Sequence, residues 1–110
     1  MITRVRHLRL LNDQHTHFTM GTITIATRKK EDNTLDVGVS YCSPRDMFNR
    51  KTGYAKSIEG LETPIITGVK ITPEVPVIYD ILHKLLEIER NTTPRPKWIK
   101  KLLGACIQEY

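Results

Sequence analysis

A chain of 110 residues fits a single domain (1–110) and can bury a modest core. With 39% hydrophobic and 26% charged residues it reads as an ordinary globular chain, and it lacks the run of about 20 apolar residues that would span a bilayer. The net charge of +5, with Arg4, Arg6, Arg9, Arg28, Lys29 and Lys30 set against Asp13 in the first 30 residues, favours anionic partners: nucleic acid, nucleotides or acidic proteins.

The first segment, ITRVRHLRLL, is rich in β-branched and long side chains and is expected to be a strand. Its interleaved arginines do not suit a secretory leader, so a cytoplasmic location without membrane contact is expected. In FTMGTITIAT the apolar parity slips at Gly21, as a β-bulge would require. RKKEDN supplies a charged turn. LDVGVSYC then alternates cleanly, with Leu35, Val37, Val39 and Tyr41 on one face.

Next comes CSPRDMFNRKTGYAKSIEGL. Ser43 as N-cap, Pro44 at the first helical position and Asp46 closing a capping box predict a helix directly after the strand. Its apolar stripe would be Met47, Tyr54, Ile58 and Leu61, widened by Phe48 and Ala55, with Gly60 as the stop. Gly53 inside it requires either close approach of a ligand or a small-residue contact with the sheet. PIITGVKI reads as a short strand. TPEVPVIYDILHKLLEIER, capped at Thr72, carries Ile78, Ile81, Leu82, Leu85 and Ile88 on one stripe. PKWIKKLLGACIQEY repeats the pattern with Trp98, Ile99, Leu102, Leu103, Cys106 and Ile107. The order predicts an α+β fold, an antiparallel sheet with helices packed on one face. Two apolar C-terminal helices on so short a chain predict a homo-oligomer.

The junction of strand and helix is the candidate site. A helix start offers free N–H groups and a positive dipole end. Ser43 and the following amides would bind phosphate, with Arg45 and Lys56 neutralising it. Asn49 lies on the same outer face, Arg28 reaches in from the hairpin, and Phe48 or Tyr41 stacks on a base. The competing reading is a well-capped helix with a solvated basic face and aromatics spent on the core.

CSPRDMFNRKTG after a VGVSY strand resembles a pattern found in small phage-encoded proteins: a strand, then Cys/Asn-x-Pro-x-Asp-x-Phe-x-Arg/Lys-Lys-x-Gly, then a helix. Cys42, Pro44, Asp46, Phe48, Arg50, Lys51 and Gly53 carry the match, which departs at Tyr54 and Gly60, where the pattern has arginines. The resemblance implies a nucleotide sponge of the anti-Thoeris or anti-CBASS kind, an oligomer that sequesters a cyclic nucleotide or an ADP-ribose derivative without cleaving it.

Other chemistry has less to stand on. His15 and His17 form an HxH with no third ligand at metal spacing, so no metal is expected. Neither Cys42 nor Cys106 has a catalytic signature, and both read as reduced thiols. His7, His83 and Asp36 are the residues a dispersed hydrolase would use. A non-enzyme with no cofactor and no catalytic residue is the expectation. The alternatives are a small basic nucleic-acid-binding protein, using Arg4, Arg6 and Arg9 on a strand, Arg28, Lys29 and Lys30 at a hairpin tip and the helix edge of Arg95, Lys97, Lys100 and Lys101, or an inhibitor acting by protein–protein contact.

Overall fold

The computed structural model describes residues 2–11, 19–72, 76–91 and 97–109. The HxH histidines and Arg95 lie outside these ranges. Four strands, β1 (Ile2–Leu11), β2 (Thr19–Lys29), β3 (Thr34–Cys42) and β4 (Ile66–Lys70), form one antiparallel sheet in the order β1-β2-β3-β4. Helix α1 (Arg50–Glu59) interrupts the meander between β3 and β4, and α2 (Val77–Asn91) and α3 (Lys97–Glu109) close the chain. This is the expected α+β class.

The β2–β3 turn is closed by local chemistry. Asn33 takes the left-handed conformation (φ 63°), and the Asp32 carboxylate accepts from the Thr34 hydroxyl at 2.6 Å and its N–H at 3.1 Å. Those bonds hold the Asp32 carboxyl below its ordinary pKa. The parity slip in β2 is the foreseen bulge: register with β1 shifts between Arg9 and Leu11, and Gly21 has φ 112°.

Because strand side chains alternate, register assigns every residue to a face. Leu8 of β1, Ile23 and Ile25 of β2, and Leu35 and Val37 of β3 share one face and join Ile81, Leu82, Leu85, Leu102, Leu103 and Cys106 in the core. The stripes foreseen for α2 and α3 are the ones that pack here. The first turn of α2 starts at Pro76, whose carbonyl accepts from Tyr79 N–H at 3.0 Å, rather than at Thr72. Arg4, Arg6 and Arg9 are all exposed on β1, an outer strand of the sheet.

The opposite face is polar. Register aligns His7, Thr24 and Ser40 in one row across β1, β2 and β3, and Arg9, Thr22 and Cys42 in the next. Helix α1 lies on this face, so the helices cover both sides of the sheet rather than one. The expected apolar stripe on α1 is kept only in part: Leu61 is buried just past the helix and Ile58 and Phe48 are half-buried, but Met47 is 95% exposed, Tyr54 52% exposed and Ala55 exposed, and the buried residues of the helix itself are Gly53 and Ser57. Packing here works by close approach. A Cβ added at Gly38 would collide with the Ser57 carbonyl oxygen, and one at Gly53 would stand 2.6 Å from Thr24 Oγ1. Gly53 is therefore a helix–sheet contact. Gly60 ends the helix in an ordinary right-handed conformation, and its bare Cα serves the same approach to Gly38.

Candidate functional site

The helix after β3 begins six residues later than the capping box implies. Asn49 is the N-cap, extended at φ −124°, ψ 118°, and its Oδ1 accepts from Lys51 N–H at 2.9 Å and Thr52 N–H at 3.3 Å. Ser43 instead closes a turn: its carbonyl accepts from Asp46 N–H at 3.1 Å, and its hydroxyl accepts from Arg45 N–H at 3.2 Å. Both Ser43 and Asn49 are good caps. Asn49 prevails because the loop between them must lay Phe48 on the polar sheet face before the helix can bring Gly53 and Ser57 down on it. Phe48 meets the His7 ring edge-on, with centroids 5.3 Å apart, and its Cε1 would be 3.1 Å from a Cβ at Gly53.

This loop, the end of β3 and the first turns of α1 enclose a cleft of about 200 Å³. Thr24, Ser40 and Cys42 of the sheet, Asp46, Met47 and Phe48 of the loop, and Asn49, Thr52, Gly53 and Lys56 of the helix line it, as does Tyr41. The Cys42 thiol donates to the Asp46 carbonyl at 3.8 Å, which ties the loop back to the strand. Burial raises the pKa of this thiol, aided by the Asp46 carboxylate and opposed by Lys56 and Arg9. Cys42 is thus a neutral thiol at neutral pH, not an activated nucleophile.

Four of the seven candidate residues, Tyr41, Phe48, Asn49 and Lys56, line the cleft. Tyr41 does not offer its ring there, because it sits in register with Ile23 on the apolar face and meets Trp98 edge-on at 6.5 Å. The other three are elsewhere. Arg45 is exposed on the turn beside Ser43, outside the lining. Arg28 lies four residues along β2 from Thr24, and its guanidinium donates to the Leu61 carbonyl at 2.6 Å, which anchors the chain leaving α1. The hairpin turn does not fold back to the helix start.

Comparison with known proteins finds no matching family model, curated protein or solved structure.

Sequence reasoning missed Thr24, Ser40 and Thr52, which line the cleft. Ser40 was visible as the polar member of an alternating strand, but nothing local says that its face is covered by a helix. The residues of a dispersed hydrolase are not gathered: Asp36 is ion-paired to Lys30 at 3.4 Å, His7 bonds Thr24, and His83 meets Tyr79 on α2. Among the described residues no group of three or more His, Cys, Asp or Glu could hold a metal ion, and no helix is long and apolar enough to cross a membrane.

Proposed function

We propose that this is a non-catalytic binding protein that sequesters a small phosphate-bearing nucleotide, a cyclic nucleotide or an ADP-ribose derivative, in the cleft between β3 and α1. The observation that carries the reading is the make-up of that cleft. Ser40, Asn49 and Thr52 offer hydrogen bonds, Lys56 offers a cation, and the exposed Met47 offers an apolar surface for a base. Asp46 stands among them as a like charge to phosphate, which favours a ligand held at the Lys56 side.

The volume of about 200 Å³ is below the range of roughly 300–1,000 Å³ usual for small-molecule sites. It suits a phosphate and part of a ribose, so a second copy of the chain closing over the base belongs to the proposal, as a homo-oligomer. The likeness of residues 37–61 to small phage-encoded proteins supports the same reading and gives it a purpose, the removal of a defence signal in the host cytoplasm.

The test is native mass spectrometry of the purified protein together with a thermal-shift screen of cyclic dinucleotides, cyclic trinucleotides and ADP-ribose. A ligand that raises Tm and is recovered intact supports sequestration. Lys56→Ala is expected to weaken that ligand about tenfold, the loss of one charge-assisted hydrogen bond. Arg45→Ala, outside the cleft, is expected to leave it unchanged.

A second reading has its own observation, the exposed arginines of β1. Nucleic-acid binding through them predicts affinity that grows with oligonucleotide length and falls steeply with salt. Failure of both screens would leave contact with a partner protein.

A further inference from the structure

The cleft has a neighbour that its lining does not include. His7 sits at the β1 end of the row that continues through Thr24 to Ser40, so it is one strand spacing, about 4.8 Å, from the first and about 10 Å from the second. Its Nδ1 is 2.8 Å from Thr24 Oγ1, and its ring packs edge-on against Phe48. Two residues of the cleft are thus held by this one side chain.

We infer that His7 is the positioning residue of the cleft, and that an anion bound there draws a proton onto its ring. The inference rests on the binding function proposed above.

The hydrogen bond gives the first reason. When Nδ1 is unprotonated, the Thr24 hydroxyl donates to it and turns only lone pairs towards its other neighbours. When Nδ1 carries a proton, it donates to Oγ1, and the Thr24 hydroxyl hydrogen is free to point into the cleft. A phosphate oxygen, which only accepts, selects the second arrangement; the neutral ring protonated at Nδ1 and the doubly protonated ring both supply it, and the charge of the anion favours the doubly protonated one.

Charge gives the second reason. The α1 side presents Arg50 to His7 and holds Lys56 in the cleft, the loop that carries Phe48 holds Asp46 there, β1 itself carries Arg9 two residues on, and the facing positions on β2 are the uncharged Thr22, Thr24 and Ala26. Burial first, and Arg50 second, hold the His7 pKa below its ordinary value in the free protein. An anion over Thr24 and Ser40 stands about 5–10 Å away and opposes both cations, so it raises that pKa. Binding then takes up a proton between the free and bound midpoints. Affinity rises as pH falls through the bound midpoint and levels off below the free one.

The test uses the full chain, labelled for NMR, and probes whose charge is constant between pH 5 and 8: inorganic sulfate, ADP-ribose and cyclic di-AMP. The His7 ring signal, assigned by its loss in His7→Asn, is titrated with and without each probe at matched ionic strength. The expected result is an upward shift of the midpoint by about half a unit or more. The affinity of a binding nucleotide is expected to be about twofold or more tighter at pH 5.5 than at pH 8 in the natural chain and flat in His7→Asn, which keeps a hydrogen-bonding atom near the Nδ1 position. His7→Gln serves as the second variant if the first does not fold. A nucleotide that binds with the same affinity at both pH values, or with the same slope in the folded variant, overturns the role of His7 and leaves the cleft standing. A midpoint that no probe moves, with no nucleotide bound, overturns both.

Discussion

The two faces of the sheet are held by opposite means. On one, Leu8, Ile23, Ile25, Leu35 and Val37 meet the leucines and isoleucines of α2 and α3, a contact made by volume. On the other, α1 comes down on Gly38 and Thr24 through Gly53, Ser57 and Gly60, a contact made by the absence of side chains. The first arrangement gains stability from buried apolar area. The second gains less of it and instead lets a helix approach a polar sheet face, leaving hydroxyls, a thiol and a histidine near an open cleft. The apolar layer supports the molecule, and the glycine layer makes room for chemistry.

Substitutions sharpen that contrast. Leu102→Ala, at a fully buried core position, is expected to cost about 2–5 kcal/mol in urea unfolding. Gly38→Val places atoms against the backbone of residues 57–61 and is expected to cost about 3 kcal/mol. The added loss should appear as faster hydrogen exchange in α1 while α2 and α3 keep their protection; equal loss of protection in all three helices would break the division into two layers. Gly53→Ala gains helix propensity of about 1 kcal/mol but meets Thr24 Oγ1, and a net loss of about 1 kcal/mol is expected. Gly104 in α3 faces open space, so Gly104→Ala is expected to stabilise by about 0.5–1 kcal/mol, with a rise in Tm.

The smallest effect concerns pH. His7 has a lower pKa in the folded chain than the value near 6.5 of an unfolded histidine, so the unfolded state binds more protons there. Its contribution to stability is present above about pH 6.5 and is lost as pH falls from there towards the folded pKa. The urea midpoint of the natural chain should therefore fall more between pH 8 and pH 5 than that of His7→Asn.

The same contrast explains what could be read from the sequence. The β2–β3 hairpin, β4 and the stripes of α2 and α3 were legible because apolar burial writes a period of 2 or 3.6 into a chain. The α1 layer was not. Its close contacts are made by Gly53, Ser57 and Gly60, which carry no hydrophobic signal, while of the expected stripe Leu61 is buried but Met47 and Tyr54 are exposed. The small residues at 38, 53, 57 and 60 were the available clue to a close helix–sheet contact. Two residues favoured as caps share this loop, and the helix starts at Asn49 rather than Ser43, which leaves the expected phosphate contacts of Ser43 and Arg45 outside the cleft. Phe48, Asn49 and Lys56 were found because they lie on either side of the true helix start.

The arginines of β1 have a consequence for how far the sheet can grow. Outer strands invite another strand, and two copies of β1 laid antiparallel would bring the segment that carries Arg4, Arg6 and Arg9 close to the same cationic segment of the other chain. Extension by self-pairing is thereby disfavoured, more strongly in dilute buffer than in brine. Among the described strands the sheet has a positively charged border that repels its own likeness, and copies of this chain have reason to meet through another surface.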